Sequence, residues 1–177
     1  MGTTTINDEL AVIRRRIDRL QAGARAGAPR VWRHLEALRE SEAAVLAALR
    51  QEASDEVDDK LGQLKTRLDV AEHSLEADAS EDWATFAAAV EAELHSWDTY
   101  LERLQASVAA KAWKAREQAE ATIADVRGRR IEVGERLTQA HDSAGGASER
   151  ARRRITAARN ELDRRAAHLS TKFNRED

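Results

Sequence analysis

Apolar residues recur along the chain at alternating spacings of three and four, the pattern that lines one face of a helix and packs it along a seam. No segment alternates with period two, so no strand is expected. The first seam is Ile6, Leu10, Ile13, Ile17, Leu20 and Ala24, with Thr5 or Asn7 placed to cap it and Asp8 and Glu9 suited to the positive end of the helix dipole. It predicts a helix over about 6–24, ended by the glycines at 23 and 27 and followed by the only proline, Pro29, which can open the next helix. The second seam, Val31, Leu35, Leu38, Val45, Leu49, Ala53, Val57, Leu61, Leu64, Leu68, Ala71 and Leu75, predicts a helix over about 29–79. Residues 78–82 offer caps without glycine, so a break there and a continuous helix both fit. A third seam runs from Trp83 through Val90, Leu94, Trp97, Leu104, Val108, Ala112, Ile123, Val126 and Val133 to Leu137, giving a helix over about 82–141. Gly145 and Gly146 then separate a last helix over about 147–173, carrying Ile155, Ala158, Leu162, Ala166, Leu169 and Phe173.

These seams imply an all-α fold: one elongated antiparallel helical bundle or coiled coil of four helices, two short and two very long, filling residues 1–177 as a single domain. A helix of about 60 residues would be about 90 Å long. Consecutive spacings of four at 49, 53, 57 and at 104, 108, 112 are stutters that relax supercoiling. A hairpin folded near residue 80 would set the two stutters face to face. In that register the short helices join the long ones in a four-helix section holding Ile13, Ile17, Trp32, Trp113, Ile123, Leu162 and Phe173, while residues 50–110 project as a two-helix arm. Along the arm, Leu61, Leu64, Leu68, Trp83, Phe86, Val90, Leu94, Trp97 and Tyr100 form a stripe wider than one partner helix covers. This stripe is the expected self-association surface of a homodimer or higher homo-oligomer. A monomer in which the first or last helix folds along the arm is the other arrangement.

Composition narrows the chemistry. Among 177 residues there is no Cys, which removes disulfides, thiolate metal sites and cysteine nucleophiles together. No stretch reaches the roughly 18 apolar residues of a spanning helix. The opening residues lack a basic start followed by an apolar run, so the expectation is a soluble, cytoplasmic protein without a transmembrane segment. The net charge of −3 hides a division. Residues 1–35 hold seven arginines against three acids, residues 36–110 six basic against eighteen acidic residues, and residues 111–177 sixteen against eleven. With an acidic arm and basic ends, Arg15, Arg16, Arg19, Arg129, Arg130, Arg152, Arg153 and Arg154 become candidate anion-binding residues for nucleic acid or an anionic lipid surface. The same arginines also fit solvated helix faces that pair with Glu and Asp one turn away, and intervening acids such as Asp18, Glu132, Glu135, Glu161 and Asp163 dilute the patch.

Catalytic groups do not converge in the sequence. Asp69 with His73 and Glu91 with His95 are each one helical turn apart and would lie level across the hairpin, the one constellation that suggests a metal. There is no His-Glu-x-x-His, no phosphate-binding glycine loop ending in Lys-Ser or Lys-Thr, and no serine elbow. No catalytic residue, metal or cofactor is assigned, and a non-enzymatic role is expected. The four Trp residues read as core or interface anchors.

From residue 82 to 162, Glu91, Leu94, Trp97 and Leu101 start a long helix that passes a glycine turn and returns through Ile155 to Leu162. This segment resembles the small bacterial coiled-coil stress-response proteins rich in Ala, Glu and Lys, with Arg here where that family favours Lys. The resemblance implies a helical coiled coil with a stress-related role and carries no catalytic residue. Three functions stay open: a self-associating structural or interaction protein, a helical coat on a lipid or granule surface, and nucleic-acid binding through the arginine-rich ends.

Overall fold

What the chain does at its two stutters decides the architecture. In the computed structural model, which describes residues 3–24, 29–51, 53–109, 113–142 and 149–173, both long seams are cut there, and six α-helices stand where four were expected. They are α1 (Thr3–Ala24), α2 (Pro29–Arg50), α3 (Ser54–Ala79), α4 (Trp83–Ala109), α5 (Trp113–Asp142) and α6 (Glu149–Phe173). The longest, α5, has 30 residues, about 45 Å, so the expected helices of about 90 Å are not formed.

The first cut is made by backbone hydrogen bonds without glycine or proline. The Gln51 N–H is shared between the carbonyls of Ala47 and Ala48, each at 3.2 Å, and the Ala53 N–H reaches back five residues to Ala48 at 3.3 Å. Bonds of that span close a helix end. Asp55 and Glu56 then stand in the first turn of α3, where they favour a new N-terminus. Reversal places Val57, Leu61, Leu64, Leu68 and Ala71 in one core with Ile6, Leu10, Ile13, Ile17 and Leu20 of α1 and Val31, Leu35, Leu38 and Val45 of α2. Burial of a large aliphatic side chain stabilises by about 1.5–3 kcal/mol, so folding back gains what a continuous helix would leave wet. At the second stutter α4 ends at Ala109 and α5 begins at Trp113, and Ala112 of the expected seam lies outside the described residues. Beyond it α5 runs back along α4, bringing Arg130 to Asp98 at 2.5 Å.

Near residue 80 the chain also breaks. Ser80 leaves α3 in an extended conformation, its hydroxyl donating to the Glu76 carbonyl at 2.7 Å. Asp82 caps α4, accepting the Thr85 N–H at 2.9 Å and the Thr85 hydroxyl at 2.7 Å. Those bonds hold its carboxyl below the usual carboxylate range.

The α3/α4 hairpin is therefore the centre of the molecule. Helix α1 lies against α2 and α3, α5 lies against α4 and α6, and α6 also meets α2. Glu9 pairs with Lys65 at 2.7 Å and Arg16 with Glu72 at 2.7 Å, which fixes α1 parallel to α3. A Cβ added at Gly23 would stand 2.9 Å from the Leu75 side chain, so glycine permits the close end of that contact. A second core joins Val70 and Ala77 of α3 to Phe86, Val90, Leu94, Trp97, Tyr100 and Leu104 of α4, with Ile123, Val126 and Val133 of α5 and Ile155, Leu162 and Leu169 of α6.

The two-helix arm is thus replaced by a hairpin covered on both sides. Leu61, Leu64 and Leu68 lie in the first core; Phe86, Val90, Leu94, Trp97 and Tyr100 lie in the second, with Trp83 half-buried against it. The stripe assigned to another chain is covered by this one, because the reversals return α2 and α5 onto it. Trp32, expected in a four-helix core, is 42% exposed; α2 turns Val31, Leu35 and Leu38 inward instead. The side chains of Trp113 and Phe173, expected beside it, lie outside the described residues. No helix among the described residues is long and apolar enough to cross a membrane.

A core-truncating change at this stripe should act on folding. Leu64→Ala is expected to lower unfolding free energy by about 2–5 kcal/mol in urea melts while leaving the sedimentation coefficient of the folded protein unchanged. A change from dimer to monomer without unfolding would show that the stripe serves a second chain.

Candidate functional site

Charged residues fill the place where α2, α3, α4 and α6 meet. Arg30, in the first turn of α2, directs Nε to Asp163 Oδ2 at 2.7 Å, Nη2 to Glu93 Oε1 at 3.0 Å and Nη1 to Asp78 Oδ1 at 3.4 Å. Arg159 of α6 reaches the same acids from the other side. Its Nε donates to Glu93 Oε2 at 2.8 Å, its Nη1 to Asp78 Oδ1 at 2.9 Å and its Nη2 to the Ser74 carbonyl at 3.3 Å. Asp163 lies one turn beyond Arg159 on the same face of α6, and His34 one turn beyond Arg30 on α2. His34 Nε2 stands 3.4 Å from Asp163 Oδ1. The Arg159 side chain is 0% exposed and that of Glu93 1%, so this junction sits at core depth.

Such depth makes the arginines decisive. Guanidinium stays protonated in proteins, and its planar fork can satisfy two carboxylates at once. Burial alone would raise the Asp163 carboxyl; His34 and the Arg30 guanidinium beside it outweigh that and hold the group well below the usual carboxylate range. For Arg30, burial opposes the charge, and Asp163, Glu93 and Asp78 more than restore it. A second polar contact lies deeper along the α3/α4 hairpin. Buried Arg67 donates to the Tyr100 hydroxyl at 2.9 Å, its guanidinium 5.2 Å from the ring centroid.

Four of the eight arginines of the sequence-predicted anion site are bonded to neighbouring groups. Arg16 holds Glu72 through two donors, at 2.9 and 2.7 Å, and Asp69 at 2.6 Å. Arg129 pairs with Glu132 at 3.0 Å and Arg130 with Asp98 at 2.5 Å. Arg152 donates to the main-chain carbonyls of Ser80 and Glu81. Arg15, Arg19, Arg153 and Arg154 remain exposed. Arg16 and Arg130 of the expected basic ends thus lie against acids of α3 and α4. The two His-carboxylate pairs are also apart in their bonding: Asp69 accepts from Arg16, and His73 Nδ1 meets the Ser96 hydroxyl at 3.0 Å. Glu91 and His95 are exposed. Among the described residues no group of three or more metal-type ligands converges.

Arg30, Asp78, Glu93, Arg159 and Asp163 were not singled out as a site by sequence. Their signal was available: Glu93 follows Val90 by three and precedes Trp97 by four, and Arg159 follows Ile155 by four, so both occupy the flank of an apolar seam. No family model, curated protein or solved structure matches the chain.

Removing one member should cost more than removing a matched pair. Arg159→Met is expected to destabilise by about 3–5 kcal/mol, and Arg159→Met with Glu93→Leu to recover most of that loss, read from urea unfolding of the single and double variants. Acid should act through the same junction. A carboxylate held low in the folded state contributes stability at pH values above its unfolded value of about 3.9, and that contribution fades as pH falls toward the folded value. Asp163→Asn should therefore be less stable at pH 7 and show a flatter decline between pH 4 and 2 than the unsubstituted protein.

Proposed function

We propose that the protein is a non-enzymatic structural and interaction protein, a six-helix bundle that acts through its outer faces. The observation that carries this reading is the state of the buried ionisable cluster: Arg30 and Arg159 are spent on Asp78, Glu93 and Asp163. General acid–base catalysis works best with a group that titrates near the working pH, and Asp163 is held far from it. Fixed charges of this kind favour one arrangement of helices. A stress-related role, as the family resemblance implies, fits a protein whose inner chemistry is architectural.

Outside the bundle, Val12, Trp32 and Ile131 are large apolar side chains left exposed, Trp32 by 42% and Ile131 by 53%. Exposed aromatic anchors are where binding energy concentrates. In this reading association, with itself or with another protein, runs through these residues.

The test compares two folded variants by cross-linking in the source cells. Arg159→Met with Glu93→Leu should retain the cross-linked partners of the unsubstituted protein, and Trp32→Asp should lose them. The reverse pattern, with partners lost on changing the junction and kept on changing Trp32, would overturn the reading.

A further inference from the structure

A cleft of about 800 Å³ opens where the C-terminal end of α3 meets α2 and α6, within the roughly 300–1,000 Å³ typical of small-molecule sites. Four arginines reach its wall, Arg30, Arg33, Arg152 and Arg164, against two acids, Asp78 and Glu161. Their partners divide them. Arg30 is surrounded by three carboxylates, and Arg164 is held by Glu161.

Arg33 and Arg152 are different. Arg33 gives Nη2 to the Asn160 side-chain carbonyl at 3.0 Å, and its Nε makes no hydrogen bond. Arg152 donates to two main-chain carbonyls and lies 4.6 Å over the Phe86 ring. Both cations therefore face the cleft without a carboxylate of their own among the described residues. Beside them the apolar lining open to the cleft is half-buried Leu75 with exposed Ala79 and Ala157, while Ala77 and Phe86 lie buried beneath.

We propose that this cleft binds an amphipathic organic anion, its carboxylate received by Arg33 and Arg152 and its apolar body laid along Leu75, Ala79 and Ala157. A guanidinium matches a planar carboxylate through paired donors. The half-enclosed wall strengthens that attraction over its value in bulk water. Asn160 and Thr156, on the same wall, supply amide and hydroxyl donors beside the head. The site is independent of the outer faces assigned to protein association, so either reading can fail alone.

Laurate is the probe, titrated calorimetrically below its micelle concentration against dodecanol, inorganic phosphate and phosphatidylglycerol vesicles. One laurate should bind per chain, with dodecanol and phosphate each at least tenfold weaker. Arg33→Gln should weaken laurate binding tenfold or more. Ala157→Trp, which adds bulk at an exposed position of the cleft wall, should abolish it while the far-ultraviolet circular dichroism stays unchanged. Absence of saturable one-to-one binding, equal binding of phosphate or dodecanol, or full affinity in Ala157→Trp would each overturn the proposal. Binding to the vesicles without one-to-one laurate binding would assign the arginines to a membrane surface and overturn it as well.

Discussion

Two guanidinium groups buried against three carboxylates constrain every other contact in this bundle. Removing an ion from water costs several kcal/mol even after relaxation, so Arg30 and Arg159 are tolerable only where all their donors find acceptors. Each of their nitrogens has one at 2.7–3.4 Å across four helices. A slip of one turn, about 5.4 Å, in α2 or α6 would break these bonds while leaving the charges inside. Aliphatic contacts are more forgiving, since leucine can pack against many neighbours. The hydrophobic cores supply the bulk of the stabilisation, and the ionic junction selects the register in which they form.

That selection explains the uneven charge along the chain. Acids concentrate in the stretch that becomes the central hairpin, and arginines in the stretches that become its flanks. Once the flanks fold inward, Arg16 meets Asp69 and Glu72, Arg130 meets Asp98, and Arg159 meets Glu93 and Asp78. The partly exposed pairs are worth at most about 1 kcal/mol each. Their contribution is direction: opposite charge biases α1 toward α3 and α5 toward α4 before close packing begins. Arg outnumbers Lys by 24 to 5, and the buried positions show a use for that bias, because one lysine ammonium could not present the planar fork by which Arg30 addresses three acids.

Helix type and phase were legible in the sequence, and chain direction was not. The seam residues are buried almost throughout, from Ile6 and Leu10 to Leu162 and Leu169. Both stutters were visible, and the first coincides with a reversal at residues 51–53 that no glycine or proline announces. A stutter reports only that the apolar face changes phase. Whether the helix continues or turns back depends on whether other segments can cover the face, a tertiary question. Trp32 shows the same limit: one position from Val31, it could be assigned to a core by spacing, yet the buried face of α2 is the one carrying Val31, Leu35 and Leu38, which leaves Trp32 outside. The ionic junction was hidden for a related reason. Glu93 and Arg159 each look like solvated flank residues until two helices are known to face one another.

The sharing of α3 finally accounts for why the two cores behave as one structure. Its Leu61, Leu64 and Leu68 belong to the core with α1 and α2, and its Val70 and Ala77 to the core with α4, α5 and α6. Between these faces runs the polar row of Arg67, Ser74 and Asp78, two of whose members, Ser74 and Asp78, receive Arg159. A helix apolar on both sides could rotate to trade one core for the other at little cost. With a charged row between the faces, rotation would drive Asp78 or Arg67 into hydrocarbon without its partner, a penalty of several kcal/mol. The polar row therefore fixes the rotation of α3, and with it the division of the bundle into two cores on one scaffold.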